Sequence, residues 1–355
     1  MGLGIEIALD NSPNAELSKA SRVEVQHRMG SSSTYSLQFK EDVCENDFQL
    51  LRSRILDATS GHRLSILVPV EGGKECLVKG PLHQQRIFFQ NGGAGSTLEV
   101  RGSDASILMG RQMRSRNWGS TTDSEVVQSI IGNYEGLTAD VQATEVRHDE
   151  NNRGLVQRQN DLRFIRRLSR RNAYQFWLSC DGNGQETAHF RRPALEGTPR
   201  VTLIINQANN NIDSLNLNWD SERPTSVQGQ QHNLNDRQNT DGTASSSSQT
   251  SLGSRSFRQI ASGDRSTSIS APAHSSSDLR SRSQAALLDA EWFIRASCQT
   301  TFERLCKIVR PFEVIQLDGA GSRHSGRYLV SGVRHIITAV GHQMELELIR
   351  NGWDD

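Results

Sequence analysis

The 355-residue chain lacks any apolar run approaching the roughly 18 residues that a membrane span needs. It also lacks an excess of either charge. Forty Lys and Arg balance 40 Asp and Glu, so net charge points neither to nucleic acid nor to an anionic membrane. The opening residues, Met1 to Glu6, show no basic start and long apolar stretch, so no secretory signal is read and synthesis in the cytoplasm is expected. Cysteine is scarce. Cys44, Cys76, Cys180, Cys298 and Cys306 are odd in number and form no CxxC pair. That argues against a disulfide framework or a zinc knuckle, and for free thiols in a reducing compartment.

Catalytic motifs are missing as well. No G-x-S-x-G elbow turns the abundant serine into a hydrolase site. Gly72-Gly73-Lys74 lacks the earlier glycine and the following Ser or Thr of a phosphate loop. Gly319-Ala320-Gly321 leads into a strand rather than a helix, against dinucleotide binding. His324, His335 and His342 lie close in sequence but without the H-x-x-x-H spacing of a helical metal pair. Glu345 and Glu347 share one strand face, where a solvated edge explains them better than a buried acid pair. No catalytic, cofactor-binding or metal-ligating residue is assigned, and the chain is expected not to be an enzyme.

What is present is strand pattern. Ile5, Ile7 and Leu9, then Val23 and Val25, then Tyr35, Leu37 and Phe39 alternate with polar or small residues, the period of a strand with one buried face. Leu64 to Val70 and Arg86 to Gln90 add strands, separated by turns at Gly72-Gly73 and Asn91-Gly92-Gly93. Phe48, Leu51 and Ile55 predict a short helix over Asp47 to Asp57. Residues 1–104 therefore read as a first β-domain, a barrel or sandwich.

The period changes over 105–195, an α/β insertion. Asp104 caps a short helix through Gly110, and Thr122 with Glu125 forms a capping box ahead of Val126, Val127, Ile130 and Ile131. A third helix spans Asp161 to Arg171, with Leu162, Phe164, Ile165 and Leu168 on its apolar side and Arg163, Arg166, Arg167, Arg170 and Arg171 crowding the rest. Asn172 is expected to end it in the left-handed conformation. With zero net charge and few interleaved aromatics, the arginines suit a solvated face or a partner subunit better than nucleic acid. Asp181-Gly182-Asn183-Gly184 predicts a hairpin between Tyr174–Cys180 and Gln185–Phe190.

Residues 196–355 form a second β-domain. Strands are expected at Val201–Asn206, Ser214–Trp219, Glu303–Arg310, Phe312–Leu317, Tyr328–Thr338 and Gln343–Arg350. A helix over Gln284–Gln299 carries Leu288, Trp292 and Ala296. Between these, 225–283 is rich in Ser, Gln, Asn, Gly and Thr and reads as a long flexible loop, too poor in apolar surface to offset the entropy of ordering. Trp118, Trp177, Trp219, Trp292 and Trp353 are read as core or interface anchors.

Certain of these pieces, in this order, resemble the late control D family of tailed phages, which includes the baseplate hub protein and the N-terminal half of VgrG spike proteins. They are Val100-Arg101-Gly102-Ser103-Asp104, Arg116-Asn117-Trp118, Gln159-Asn160-Asp161 with Leu162 to Phe164, and the terminal Tyr328, Val330, His335, Leu346, Leu348 and Arg350 pattern. Two departures stand out: Asn172 occupies a place usually held by Gly, and the Ser-rich loop is longer than the family leads one to expect. The resemblance implies a mainly β fold with an α/β insertion, two related tube-like β-barrel domains per subunit, and a structural role without cofactor. It further implies a homotrimer whose six barrels adapt a hexameric inner tube protein to a trimeric spike, within a bacterial phage tail or contractile injection system. Since the sequence stops at Asp355, the spike is expected to be a separate protein, with other baseplate components as further partners. Tube- and spike-contacting residues are not assigned. The competing readings are a β-rich carbohydrate- or surface-binding module, drawing on the strands and tryptophans, and a baseplate cell-wall hydrolase, for which no nucleophile or carboxylate pair is found.

Overall fold

Alternation of apolar and polar residues builds most of this chain into strands. A computed structural model describes residues 4–41, 43, 48, 61–149, 154–232, 239–270, 273 and 275–355. The helix expected over Asp47–Asp57 lies outside them apart from Phe48, as does Cys44. The first region contributes β1 (Glu6–Leu9), β2 (Ser12–Pro13), β3 (Arg22–Arg28), β4 (Thr34–Glu41), β5 (Arg63–Val70), β6 (Gly73–Phe88) and β7 (Ser96–Ser103). The residues picked out by alternation, Ile7, Val23, Val25, Tyr35, Leu37 and Phe39 among them, meet in one buried core, which Leu98 and Val100 join. Strands that feed a single core must wrap round it.

The middle region holds β8 (Met113–Asn117), β9 (Leu137–Val141), β10 (Val156–Asn160), β11 (Gln175–Cys180) and β12 (Glu186–Arg191), with helices Asp123–Ile131 and Asp161–Arg171. Local chemistry fixes each end. Thr122 and Glu125 make a reciprocal capping box, Asp104 accepts from the Ser106 amide at the head of a short 3₁₀ turn, and Asn160 accepts from the Arg163 amide. Asp181 accepts from the amides of Asn183 and Gln185 in the β11–β12 hairpin. Asn172 is not left-handed, with φ −106°; Ala173 takes that conformation at φ 55°. The Asn172 side chain instead donates to Asp123 and to the Leu168 carbonyl, which holds it in an ordinary conformation.

The last region holds β13 (Thr202–Ile204), β14 (Leu215–Trp219), β15 (Ser226–His232), β16 (Asn239–Ala244), β17 (Arg255–Ser256), β18 (Ser266–Ile269), β19 (Ile294–Thr301), β20 (Val314–Asp318), β21 (Gly326–Thr338), β22 (Gly341–Arg350) and β23 (Gly352–Trp353). A second core gathers Leu203, Ile315, Tyr328, Val330, Leu346 and Leu348.

Three expectations are corrected here. The helix placed over Gln284–Gln299 runs from Ser276 to Ala290, and β19 follows it. Ile294, Ala296, Cys298 and Thr300 are all buried, so the period there is two. No strand covers Glu303–Arg310, where helix Phe302–Leu305 lies, capped by Thr301. Residues 225–283 are not simply a loop: β15 pairs antiparallel with β16 and parallel with β18. Helix Ser276–Ala290 packs on this small sheet through Leu287 against Val227 and Ala244.

Among the described residues, β3 and β21 join the two β-rich regions edge to edge. Among the described residues, thirteen strands form one sheet, which bends round two cores in turn, and none of the sheets closes into a barrel. The outer edge of β3, which a closed barrel of the first region would need, is taken by β21.

Two features brace the bend in β6. Its first half pairs with β5 and its second half with β7, and at the corner the Tyr35 hydroxyl donates to the Gly80 carbonyl at 3.0 Å. The Tyr35 ring lies where a Cβ on Gly102 would have to go. Cys76 on β6 and Cys180 on β11 form a disulfide, which corrects the expectation of free thiols. The partners are 104 residues apart, a pairing that only the folded chain brings about; Cys298 and Cys306 are free.

Gly102→Ala should lower stability by about 1–3 kcal/mol, because the Tyr35 ring must leave its place. Equal urea midpoints for variant and natural chain would refute that account. The Cys76→Ser, Cys180→Ser double variant should lose up to about 4.7 kcal/mol, the entropy of a closed loop on the order of 100 residues. Reduction of the natural chain should move its urea midpoint by a similar amount.

Candidate functional site

At the seam of the two β-rich regions, β21 lies between β3 and β22. Its inner face brings together His335 and His342, which sequence proximity had singled out, and His27, which it had not. His335 Nδ1 and His342 Nε2 share a hydrogen bond at 3.1 Å. The His27 ring meets His335 edge-on at 5.7 Å, and its Nδ1 shares a hydrogen bond with Ser33 at 2.9 Å. Burial pushes His342 down to about 4, with the Glu303 charge opposing. Burial, aided by the neighbouring His27, His342 and Arg310, holds His335 well below its ordinary value. The pair is therefore neutral at physiological pH, one ring donating to the other. His324 lies apart, its carbonyl accepting from the Tyr328 hydroxyl. Among the described residues, no group of three or more His, Cys, Asp or Glu is arranged to hold a metal ion.

The outer face of the same seam is charged. Arg28 pairs with Glu347 at 2.5 Å, and Arg334 with Glu24 at 2.7 Å and Glu345 at 3.2 Å. Glu345 and Glu347 thus lie on the open face of an inner strand rather than on an edge, because β22 is flanked by β21 and β19. Cross-strand partners of opposite charge satisfy them.

The arginine helix does not face open solvent throughout. Arg166 reaches Ser32 of the first region at 2.9 Å, and Arg171 is ion-paired with buried Asp123. Arg167 and Arg170 line a cavity of about 770 Å³ between this helix, the end of β12 and helix Ser276–Ala290. Arg191, Arg192 and Arg282 also line it, together with Trp292 and Leu288. Sequence reading missed this cavity because its walls come from segments over a hundred residues apart. Of the other tryptophans, Trp177 stacks between His189 and Phe312, at 4.6 and 4.0 Å. Trp118 stacks on Phe164, Trp353 lies in the second core, and Trp219 alone of the five is exposed. Neither glycine motif supplies a phosphate cradle: Gly72-Gly73 turns β5 into β6, and Gly321 precedes β21. No helix among the described residues is long and apolar enough to cross a membrane.

Solved structures match this architecture along nearly the whole chain. A Shewanella oneidensis prophage tail protein is 11% identical, with 98% of each chain covered and a TM-score of 0.69. A Neisseria meningitidis tail protein is 11% identical, with 98% of this chain and 97% of that one covered and a TM-score of 0.67. An Escherichia coli component of the type VI secretion system is 11% identical, with 98% and 76% covered and a TM-score of 0.60. At such identity the likeness is one of fold alone. A family model described as the Alg8 N-terminal domain matches residues 3–339, and the chain belongs to that family. The family so shown differs in name from late control D, which the strand and helix motifs resemble. No curated protein matches the chain in sequence.

The neutral histidine pair makes stability depend on pH. As pH falls below about 6.5, the unfolded chain takes up protons that folded His342 refuses until about 4. That contribution is intact above this window and is lost on acidification, by up to about 1.4 kcal/mol per pH unit. His342→Gln should flatten the fall in melting temperature between about pH 7 and about pH 5; parallel curves for variant and natural chain would contradict it.

Proposed function

We propose that this chain is a structural hub of a contractile tail or injection system, akin to late control D and VgrG-type hubs, and not an enzyme. The observation that carries the reading is one sheet wrapped round two separate cores in each polypeptide, in a fold shared over 98% of the chain with phage tail proteins. Each wrapped half serves as one barrel-like unit, so a homotrimer offers six such units round an axis. One face of that ring seats the hexameric inner tube and starts its polymerisation, and the other receives a trimeric spike. Assembly takes place in the bacterial cytoplasm together with other baseplate components. The ion-paired outer face of the seam suits this role. Its charges are satisfied within the subunit, so β3 and β21 hold the two halves in fixed relation without a partner.

Size-exclusion chromatography with light scattering should give three chain masses, and electron micrographs should show rings with six lobes. A monomer without rings at high protein concentration would overturn the trimeric hub.

A further inference from the structure

The cavity beside the arginine helix has a charge that the rest of the molecule does not balance. Six arginines line it against two carboxylates, Glu196 and Asp289. Three of the six are spoken for: Arg171 by Asp123, Arg191 by Asp140 at 3.2 Å and Arg282 by Asp278 at 2.9 Å. The other three have no carboxylate partner among the described residues. Arg167 lies over the Phe164 ring and donates to the Val156 carbonyl. Among the described residues, the Arg170 side chain donates only to the Arg166 carbonyl of its own helix. Arg192 lies over the Tyr174 ring, and its buried Nε has no hydrogen-bond partner among the described residues. Crowding of like charge is felt here. Burial and then the Arg282 charge lower Arg167, and the same two causes, in that order, bring Arg171 down to about 10. Arg167 and Arg170 are exposed and Arg192 is half-buried, so their guanidinium groups remain open to an anionic partner.

Trp292, Leu288, Ala285 and Ala286, of helix Ser276–Ala290 and the residues after it, add apolar surface to the lining, beside Arg282 and Asp289 of the same helix. The volume lies within the range of about 300–1,000 Å³ found for ligand sites. A nucleic acid tracks an open basic stripe on a chain of basic balance; here the chain is neutral and the basic groups share a concave lining with apolar side chains.

We propose that this cavity is a docking groove for an acidic peptide segment of a partner protein, whose carboxylates engage Arg167, Arg170 and Arg192 while an apolar side chain packs on Trp292 and Leu288. The guanidinium fork pairs two-pronged with a carboxylate, and the aromatic wall supplies the anchor usual at the centre of a protein interface. The groove lies within one subunit, so the inference does not depend on the trimeric hub.

The test is fluorescence anisotropy on the full chain with three labelled probes: a peptide of alternating Asp, Glu and Leu, its counterpart with Lys for each acid, and a single-stranded DNA of equal length. Saturable binding is expected for the acidic peptide alone, weakening several-fold as salt rises from about 50 to about 300 mM. The Arg170→Gln, Arg192→Gln double variant should weaken it roughly tenfold or more, and Ala286→Trp, which fills the groove without altering charge, should do the same. Arg158→Gln, outside the groove, should leave binding unchanged. Absence of saturable binding by the acidic peptide overturns the proposal, as does tighter binding of the DNA or unaltered affinity in folded groove variants.

Discussion

The β3–β21 ladder is the constraint on which the rest of this structure depends. Seven residue pairs, from Arg28 with Gly332 to Arg22 with Thr338, tie strands more than three hundred residues apart in sequence. Both faces of the ladder are used. Inside, Val23, Val25 and Ile337 feed the first core and Val333 the second; outside, arginines and glutamates alternate across the strands. Register is strongly specified under such conditions, since a slip by one residue would bury the charges and expose the valines. Such a join also carries force well, because its backbone hydrogen bonds lie side by side rather than at the ends of flexible loops.

The middle region is held to this frame by chemistry of three kinds. The Cys76–Cys180 disulfide ties β6 to β11. Trp177 stacks on Phe312 of the last region. Buried Glu186 receives Arg63 at 2.8 Å and lies 3.8 Å from Lys79, both of the first region. Burial raises the Glu186 carboxyl, with the two cations opposing, so removal of one cation would leave a buried charge poorly compensated. Covalent, aromatic and ionic ties at separate points resist rotation, where any single tie would act as a hinge.

What the sequence revealed was local. The Thr122–Glu125 box, the helix from Asp161 to Arg171 and the hairpin at Asp181 each depend on residues within a few positions of one another, and each stands where spacing put it. Strand alternation was legible for the same reason in β3, β4 and β22. What it hid was either ambiguous or distant. Leu288, Trp292 and Ala296 satisfy a helical spacing, yet Ile294, Ala296 and Cys298 satisfy a strand equally well, and burial in the second core decided between them. The edge shared by β3 and β21, the disulfide, the His27 contact and the cavity wall from Arg167, Arg192 and Arg282 all join segments far apart in sequence. No periodicity within one segment can report such contacts.

The Ser-rich segment shows why composition alone misjudged order. An apolar-poor chain cannot form a core of its own, but it can satisfy its backbone and borrow one. The β15–β16–β18 ladder satisfies the backbone, and Phe257 lies in the second core. Helix Ser276–Ala290 then approaches the ladder at glycine. A Cβ on Gly242 would meet the Arg280 backbone, and the Ser283 hydroxyl donates to the Gly242 carbonyl at 2.6 Å. Glycine, scored as a breaker when the segment is read for disorder, is thus what lets helix and sheet touch. That contact seats the helix beside the cavity, so the weakest-looking stretch of sequence contributes part of the lining that the arginines share.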